Sequence, residues 1–202
     1  MSPRGVAVPD ARERLFAAAE RVVAQSGPGA LTSRAVTEEA GCSKGLLHAH
    51  FAGGLDEFVA ELVLDRLART AALADRLPSR AGEDTVTANL TDVATALFTS
   101  TGPTVSGLAL TRPGVAIRFR EAMAAGAPGF TTVQEAVTAY LRAEQRLGRL
   151  DGRLDAEAVA LALVGTVHHL LMTTHPGTPD PHEQIRRLVT ALAGGGPHIA
   201  DQ

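Results

Sequence analysis

The chain has 202 residues and a mass of 21.0 kDa, and 45% of its residues are hydrophobic, which suits a sizeable core and excludes a disordered chain. Its single cysteine, Cys42, excludes an internal disulfide and a cysteine-based zinc finger. A formal net charge of −3 argues against a protein that coats nucleic acid without specificity.

The first residues, MSPRGVAVPD, hold no apolar run long enough for a signal peptide. No uninterrupted stretch reaches the roughly 18 apolar residues of a membrane helix. The expectation is a soluble, cytoplasmic protein made of a small module fused to a larger body. The charge divides accordingly. Residues 1–54 carry Arg4, Arg12, Arg14, Arg21, Arg34 and Lys44 against five acids, a net of +1, whereas the remainder nets −4. A slightly basic module on an acidic body hints at DNA contact at one end.

Helical period dominates the chain. From Asp10 to Gln25 the apolar residues Leu15, Ala18, Ala19, Val22 and Val23 form one stripe, with Asp10 able to cap the start and Gly27-Pro28-Gly29 ending it. Thr32 precedes a short helix, SRAVTEEA, which Gly41 terminates. Ser43 is placed to cap a second short helix, KGLLHAHF, and Gly53-Gly54 ends that one. A long amphipathic helix follows, with Leu55, Phe58, Val59, Leu62 and Leu67 on one side, and stops by Pro78. Three helices joined by tight turns in so short a segment outline a helix-turn-helix at about 32–51. Further helices are predicted at about 83–101, 105–111, 115–125, 129–147, 154–174 and 180–194, punctuated by prolines. The fold class is therefore all-α, with a helix-turn-helix module in residues 1–54 and a helical body in residues 55–202. The tail GGGPHIADQ is expected to fray.

Within Leu31–Phe51, the side chains of Ala35, Val36, Ala40, Leu47 and Phe51 are predicted to face the core. Ser33, Arg34, Lys44, Gly45, Leu46, His48 and His50 then remain available to a ligand. Hydroxyls at helix N-termini suit a phosphate, and Arg34 in the first turn of a helix suits an anion better than it suits its own helix. Lys44 and Gly45 could enter a major groove. A solvated helical hairpin with ordinary caps is the alternative.

This segment resembles the N-terminal module of the TetR/AcrR family of bacterial transcriptional repressors. The family pattern is roughly L-T-x-R-x-[IV]-A-x-x-A-G-V-S-x-G-x-L-Y-x-H-F. The chain supplies Leu31, Thr32, Arg34, Val36, Ala40, Gly41, Ser43, Gly45, Leu47, His50 and Phe51 in register. The likeness covers about residues 11–70. It implies a homodimer on a partly palindromic DNA operator, with the third helix as recognition helix. By position, Thr32, Ser33 and Arg34 would touch phosphates or bases. Ser43, Lys44, Gly45, Leu46 and His48 would lie at the major groove, and His50 would reach the backbone. Three departures stand out: His48 for the usual Tyr, Cys42 for Val, and a turn, Ala52-Gly53-Gly54, without the family's lysine. The missing base predicts a salt dependence of DNA binding shallower by about one unit.

The apolar run Ala158–Gly165 must be buried all round, in the core or in a subunit interface. The dimer candidates are Leu161, Val164, Gly165 and His168 with Ile185, Leu188, Val189 and Leu192. A small-molecule effector site, which this family places among its central helices, has Phe98, Leu108, Phe119, Met123, Phe130, Val137, Tyr140 and His168 as candidate lining, with Arg118 and Arg120 as nearby charges. Simple core packing is the competing reading for each. His168-His169, His175 and His182 have no metal-ligand spacing, and no nucleophile elbow, phosphate loop or dinucleotide fingerprint occurs. No metal, cofactor, catalytic residue or membrane partner is expected, and the chain is read as a regulator and not an enzyme. A binding protein that keeps the fold without DNA binding is the alternative function.

Overall fold

A computed structural model of the chain describes residues 11–101 and 112–193, and no strand occurs among them. The helices are α1 (Ala11–Ser26), α2 (Ser33–Glu39), α3 (Lys44–His50), α4 (Gly54–Ala74), α5 (Val86–Thr101), α6 (Pro113–Ala124), α7 (Phe130–Arg146), α8 (Ala156–Thr173) and α9 (Pro181–Ala193). Single 3-10 turns stand at Pro28–Ala30 and Leu77–Arg80, each with a proline, which cannot continue an α-helix, among its first two residues. The expected helix at 105–111, the Asp10 cap, Leu108 and the frayed tail lie outside the described residues.

The described residues form two compact units. One comprises 11–63 and 112–122, the other 64–101 and 123–193. The dividing line therefore falls inside α4, beyond the boundary drawn at residue 54, and the first unit takes in most of α6.

The first unit is built around three phenylalanines. Phe51 and Phe58 meet edge-on with ring centroids 5.0 Å apart, and Phe16 lies 5.9 and 5.5 Å from them. Such aromatic pairs add about 0.5–1.5 kcal/mol each to the stabilisation from burying their area. The Arg12 guanidinium carbon sits 5.1 Å from the Phe51 ring centroid, and Arg12 also pairs with Glu61. Leu15, Leu31, Val36, Leu47 and Val115 are fully buried around this cluster. Of the expected core residues in α2, Ala35 and Ala40 are only half-buried. Thr37 is buried instead, its hydroxyl donating to the Ser33 carbonyl at 3.0 Å, which satisfies the polar atom inside the core.

In the second unit α7 packs on α8, and α5 packs on α8 and α9. Asp155 caps α8, its carboxylate accepting from the backbone N–H groups of Glu157 (3.0 Å) and Ala158 (3.1 Å). Gln145 donates to the carbonyls of Asp151 and Leu154 at 2.9 and 2.8 Å and closes the α7–α8 turn. By length and composition α8 could cross a membrane. Here it is a core helix on one side only: Val159, Ala160, Leu163, Val164, Val167, Leu170 and Leu171 are buried, whereas Ala158, Leu161, Ala162 and Gly165 are exposed. The burial on all sides expected of that run is thus not met within one chain.

Candidate nucleic-acid interface

Local sequence explains how α2 and α3 are held. Thr32 has extended backbone and its hydroxyl accepts from the Ala35 N–H at 3.1 Å, capping α2. Gly41 then takes a left-handed φ of 62°, the conformation that lets the chain reverse in so few residues. The Gly41 and Cys42 N–H groups close the turn on the carbonyls of Glu38 (3.1 Å) and Thr37 (3.0 Å). Ser43 stands at the start of α3, but its hydroxyl makes no capping bond; only its carbonyl accepts, from Leu46 N–H at 3.0 Å. Contrary to the expectation of a side-chain cap, that hydroxyl is left for another partner.

Leu47 and Phe51 are fully buried and seat α3 on the phenylalanine cluster. Their i, i+4 spacing makes them one face, so the opposite face must point outward. Thr32, Arg34, Ser43, Gly45, His48 and His50 are exposed, and Ser33 and Leu46 are half-buried; Lys44 opens α3. A β-carbon at Gly45 would meet no atom of the chain within 4 Å. Packing within the chain therefore gives no reason for glycine there.

The module holds its cations close to acids. Arg34 Nε lies 2.7 Å from Glu38 Oε1, and Arg21 Nε lies 2.6 Å from Glu39 Oε1. Arg14 donates to the Ala40 carbonyl at 2.9 Å, at the end of α2. Neither pair is singled out in the sequence analysis. The i, i+4 spacing of Arg34 and Glu38 was the available signal.

The turn after α3 ends with Gly54 at φ 72°, and the Gly53 N–H donates to Glu57 Oε2 at 2.5 Å. Against this turn lies α6. Arg112 Nη1 is 3.0 Å from Asp56 Oδ1, and its Nη2 donates to the Leu31 carbonyl at 3.0 Å. At Gly114 a β-carbon would strike the Asp56 carboxylate, and at Gly53 one would strike the Arg118 guanidinium. Arg118 is thus placed at the helix-turn-helix unit, whereas sequence reasoning set it beside an effector pocket.

The effector candidates are divided between the two units. Phe119 belongs to the first unit, and Phe98, Met123, Phe130, Val137, Tyr140 and His168 to the second. Val137 and Tyr140 are fully buried core residues. The Tyr140 hydroxyl accepts from Asn89 Nδ2 at 2.9 Å. Burial first, and then the Glu144 carboxylate, push its pKa up to about 12. Glu144 is itself fully buried, paired with Arg149 at 3.3 Å. Phe130 meets His168 edge-on at 5.1 Å, and Phe98 meets His182 at 5.5 Å. An open groove of about 340 Å³ beside α7, lined by Thr131, Gln134, Glu135, Thr138, Ala139, Arg142 and Glu157, includes none of the candidates. Of the dimer candidates, Leu161, Gly165 and His168 are exposed, Leu188 and Leu192 are half-buried, and Val164, Ile185 and Val189 are buried within the unit.

An outward-facing short helix packed against a capped second helix is the helix-turn-helix arrangement. Residues 15–61 match the family model described as bacterial regulatory proteins, tetR family. The chain is similar in fold to the transcriptional regulator FadR from Bacillus subtilis, solved in complex with stearoyl-CoA, at 15% identity and a TM-score of 0.63, covering 92% of this chain and 99% of that one. It is similar to SmeT, the repressor of the Stenotrophomonas maltophilia multidrug efflux pump SmeDEF, at 20% identity and a TM-score of 0.58, covering 91% and 88%. It is also similar to the multidrug binding protein EbrR, solved with imidazole, at 26% identity and a TM-score of 0.51, covering 96% and 100%. Among curated proteins none matches. The match to the tetR family model is confined to residues 15–61, and the chain as a whole has the TetR-type fold.

Proposed function

We propose that the protein is a ligand-responsive transcriptional repressor that binds a palindromic DNA operator as a homodimer and is released by a small-molecule effector. The observation that carries this reading is the presentation of α3: Leu47 and Phe51 are locked inward while Ser43, Gly45 and His48 face out. Two such helices about 34–36 Å apart would meet successive major grooves. Thr32, Ser33, Arg34 and His50 are assigned to the flanking backbone, and Ser43, Lys44, Gly45, Leu46 and His48 to the groove.

The exposed side of α8 supports the homodimer. Ala158, Leu161, Ala162 and Gly165 put small apolar residues on an open helix face, and a β-carbon at Gly165 would touch nothing within the chain. A second helix can approach such a face closely. Leu161, Gly165 and His168, with the half-buried Leu188 and Leu192, are the interface residues retained. The complexes of FadR with stearoyl-CoA and EbrR with imidazole support a small-molecule effector. An effector need only bind one state of the dimer better; a differential of about 1–3 kcal/mol changes operator affinity roughly 5–150-fold. This reading places the protein in the cytoplasm and gives it no catalytic role.

Gel shifts with duplex from the region upstream of the chain's own gene test the proposal. A retarded band at low salt is expected, and its absence discards the reading. The base-free turn and the pairing of Arg34 with Glu38 favour a second reading, a binding protein of the same fold that has lost DNA binding. Replacing Arg34 and Lys44 by Ala separates the two, since only a DNA binder loses salt-sensitive association.

A further inference from the structure

We propose that Arg118, on α6, is a DNA-phosphate contact that replaces the base missing from the turn after α3. The inference rests on the DNA-binding reading above. Ala52 and Gly53 are exposed, and the turn carries no cation of its own. Gly53 does not have a left-handed φ, so its backbone does not require glycine. The space beside it is filled by the Arg118 guanidinium and the Glu57 carboxylate, the ends of two side chains that a β-carbon there would push aside. The turn has given up a side chain, and a cation from a distant part of the sequence lies in its place.

Arg118, like Arg120 on the same helix, has donors to spare among the described residues. Arg12, Arg21, Arg34 and Arg112 are each committed to a carboxylate. Arg118 is exposed and makes no hydrogen bond or ion pair among the described residues. A guanidinium with an open fork of N–H donors matches the two free oxygens of a phosphodiester. Glu57 stands at the same turn, its Oε2 accepting from the Gly53 N–H, and holds negative charge near the guanidinium. That charge keeps Arg118 at the turn without using its donors.

The test is the salt dependence of association, followed by fluorescence anisotropy on a labelled duplex from upstream of the gene, using the full chain. Each phosphate contact contributes about 0.9 to the slope of log K against log salt. Arg118→Ala is expected to lower the slope by about that much per bound protomer, and Arg118→Lys to retain it. Thermal unfolding should be unchanged in both, because the side chain is exposed. Arg34→Ala serves as the control for DNA binding as such. If Arg34→Ala lowers the slope and Arg118→Ala does not, this proposal is overturned while the DNA-binding reading stands. If the unmodified chain shows no salt-sensitive association, both fall. The double variant Glu57→Gln/Arg118→Ala separates contact from screening: a slope still reduced supports a phosphate contact, and a slope restored means Arg118 only offsets Glu57.

Discussion

Arg112 joins Asp56 at 3.0 Å through one guanidinium nitrogen while another reaches the Leu31 carbonyl at the same distance. One side chain thus ties α6 to the start of α4 and to the segment entering α2. Leu31 is fully buried, so its carbonyl has little access to water. Arg112→Ala should lower stability by about 1–3 kcal/mol, the cost of losing a charge-assisted bond at a buried acceptor. Arg112→Lys should recover less than half of that, because an ammonium lacks the planar fork that spans both partners. Urea unfolding followed by circular dichroism checks both values, and an alanine variant as stable as the parent would remove the tie.

On the proposed reading, Glu38 would compete with DNA for Arg34. The pair is well exposed, at 72% and 59%, so its loss should change stability by less than about 1 kcal/mol. Removing the carboxylate releases the guanidinium and takes away a charge that repels phosphate. Glu38→Gln is expected to tighten association with the upstream duplex by about two- to fivefold. Anisotropy at fixed salt measures it, and weaker binding by the variant would contradict the placing of Arg34 at the backbone.

Much of this was legible in local sequence. Thr32 at a cap, Gly41 at the reversal and Leu47 with Phe51 four residues apart are short-range signals, and each states its own geometry. The addition of α6 to the helix-turn-helix unit was not legible, because Arg112 meets partners 56 and 81 residues away and nothing near it in sequence names them. The base-free turn was visible, but Arg118 as its occupant was not. Nor could the composition of Ala158–Gly165 say which half of α8 is buried, since an apolar residue is compatible with a core and with an open contact face. Tyr140 looked like cavity lining by size; its partners Asn89 and Glu144 come from folding.

Tyr140 is the only tyrosine and the chain has no tryptophan, so phenolate absorbance reports this residue alone. Its pKa is raised from 10.0 to about 12, chiefly by burial, so the fold favours the neutral phenol. The stability this contributes is full below pH 10 and is lost as pH rises towards 12. A spectrophotometric titration should show a midpoint near 12 in the native protein and near 10 in denaturant. A native midpoint near 10 would mean the hydroxyl is open to water. Tyr140→Phe should cost about 1–2 kcal/mol, since Asn89 loses one of its acceptors.

Leu161 is 59% exposed on the open side of α8. A carboxylate there should leave the helical body folded and oppose pairing with a second copy. Leu161→Glu is expected to sediment as a monomer with an unchanged circular dichroism spectrum, and its operator affinity should fall at least tenfold, because one half-site alone supplies fewer contacts. A variant that remains dimeric would move the interface elsewhere.

The helix-turn-helix unit is not a contiguous stretch of chain. Val115, contributed by α6, is fully buried in it, and Arg112 closes it. A chimera cut in mid-α4, the obvious junction for transplanting the reading head onto another body, would strip away that cover and bare an apolar seat. Exchange of heads among such proteins, whether by engineering or by recombination, would have to carry the distant helix along or supply a substitute for it.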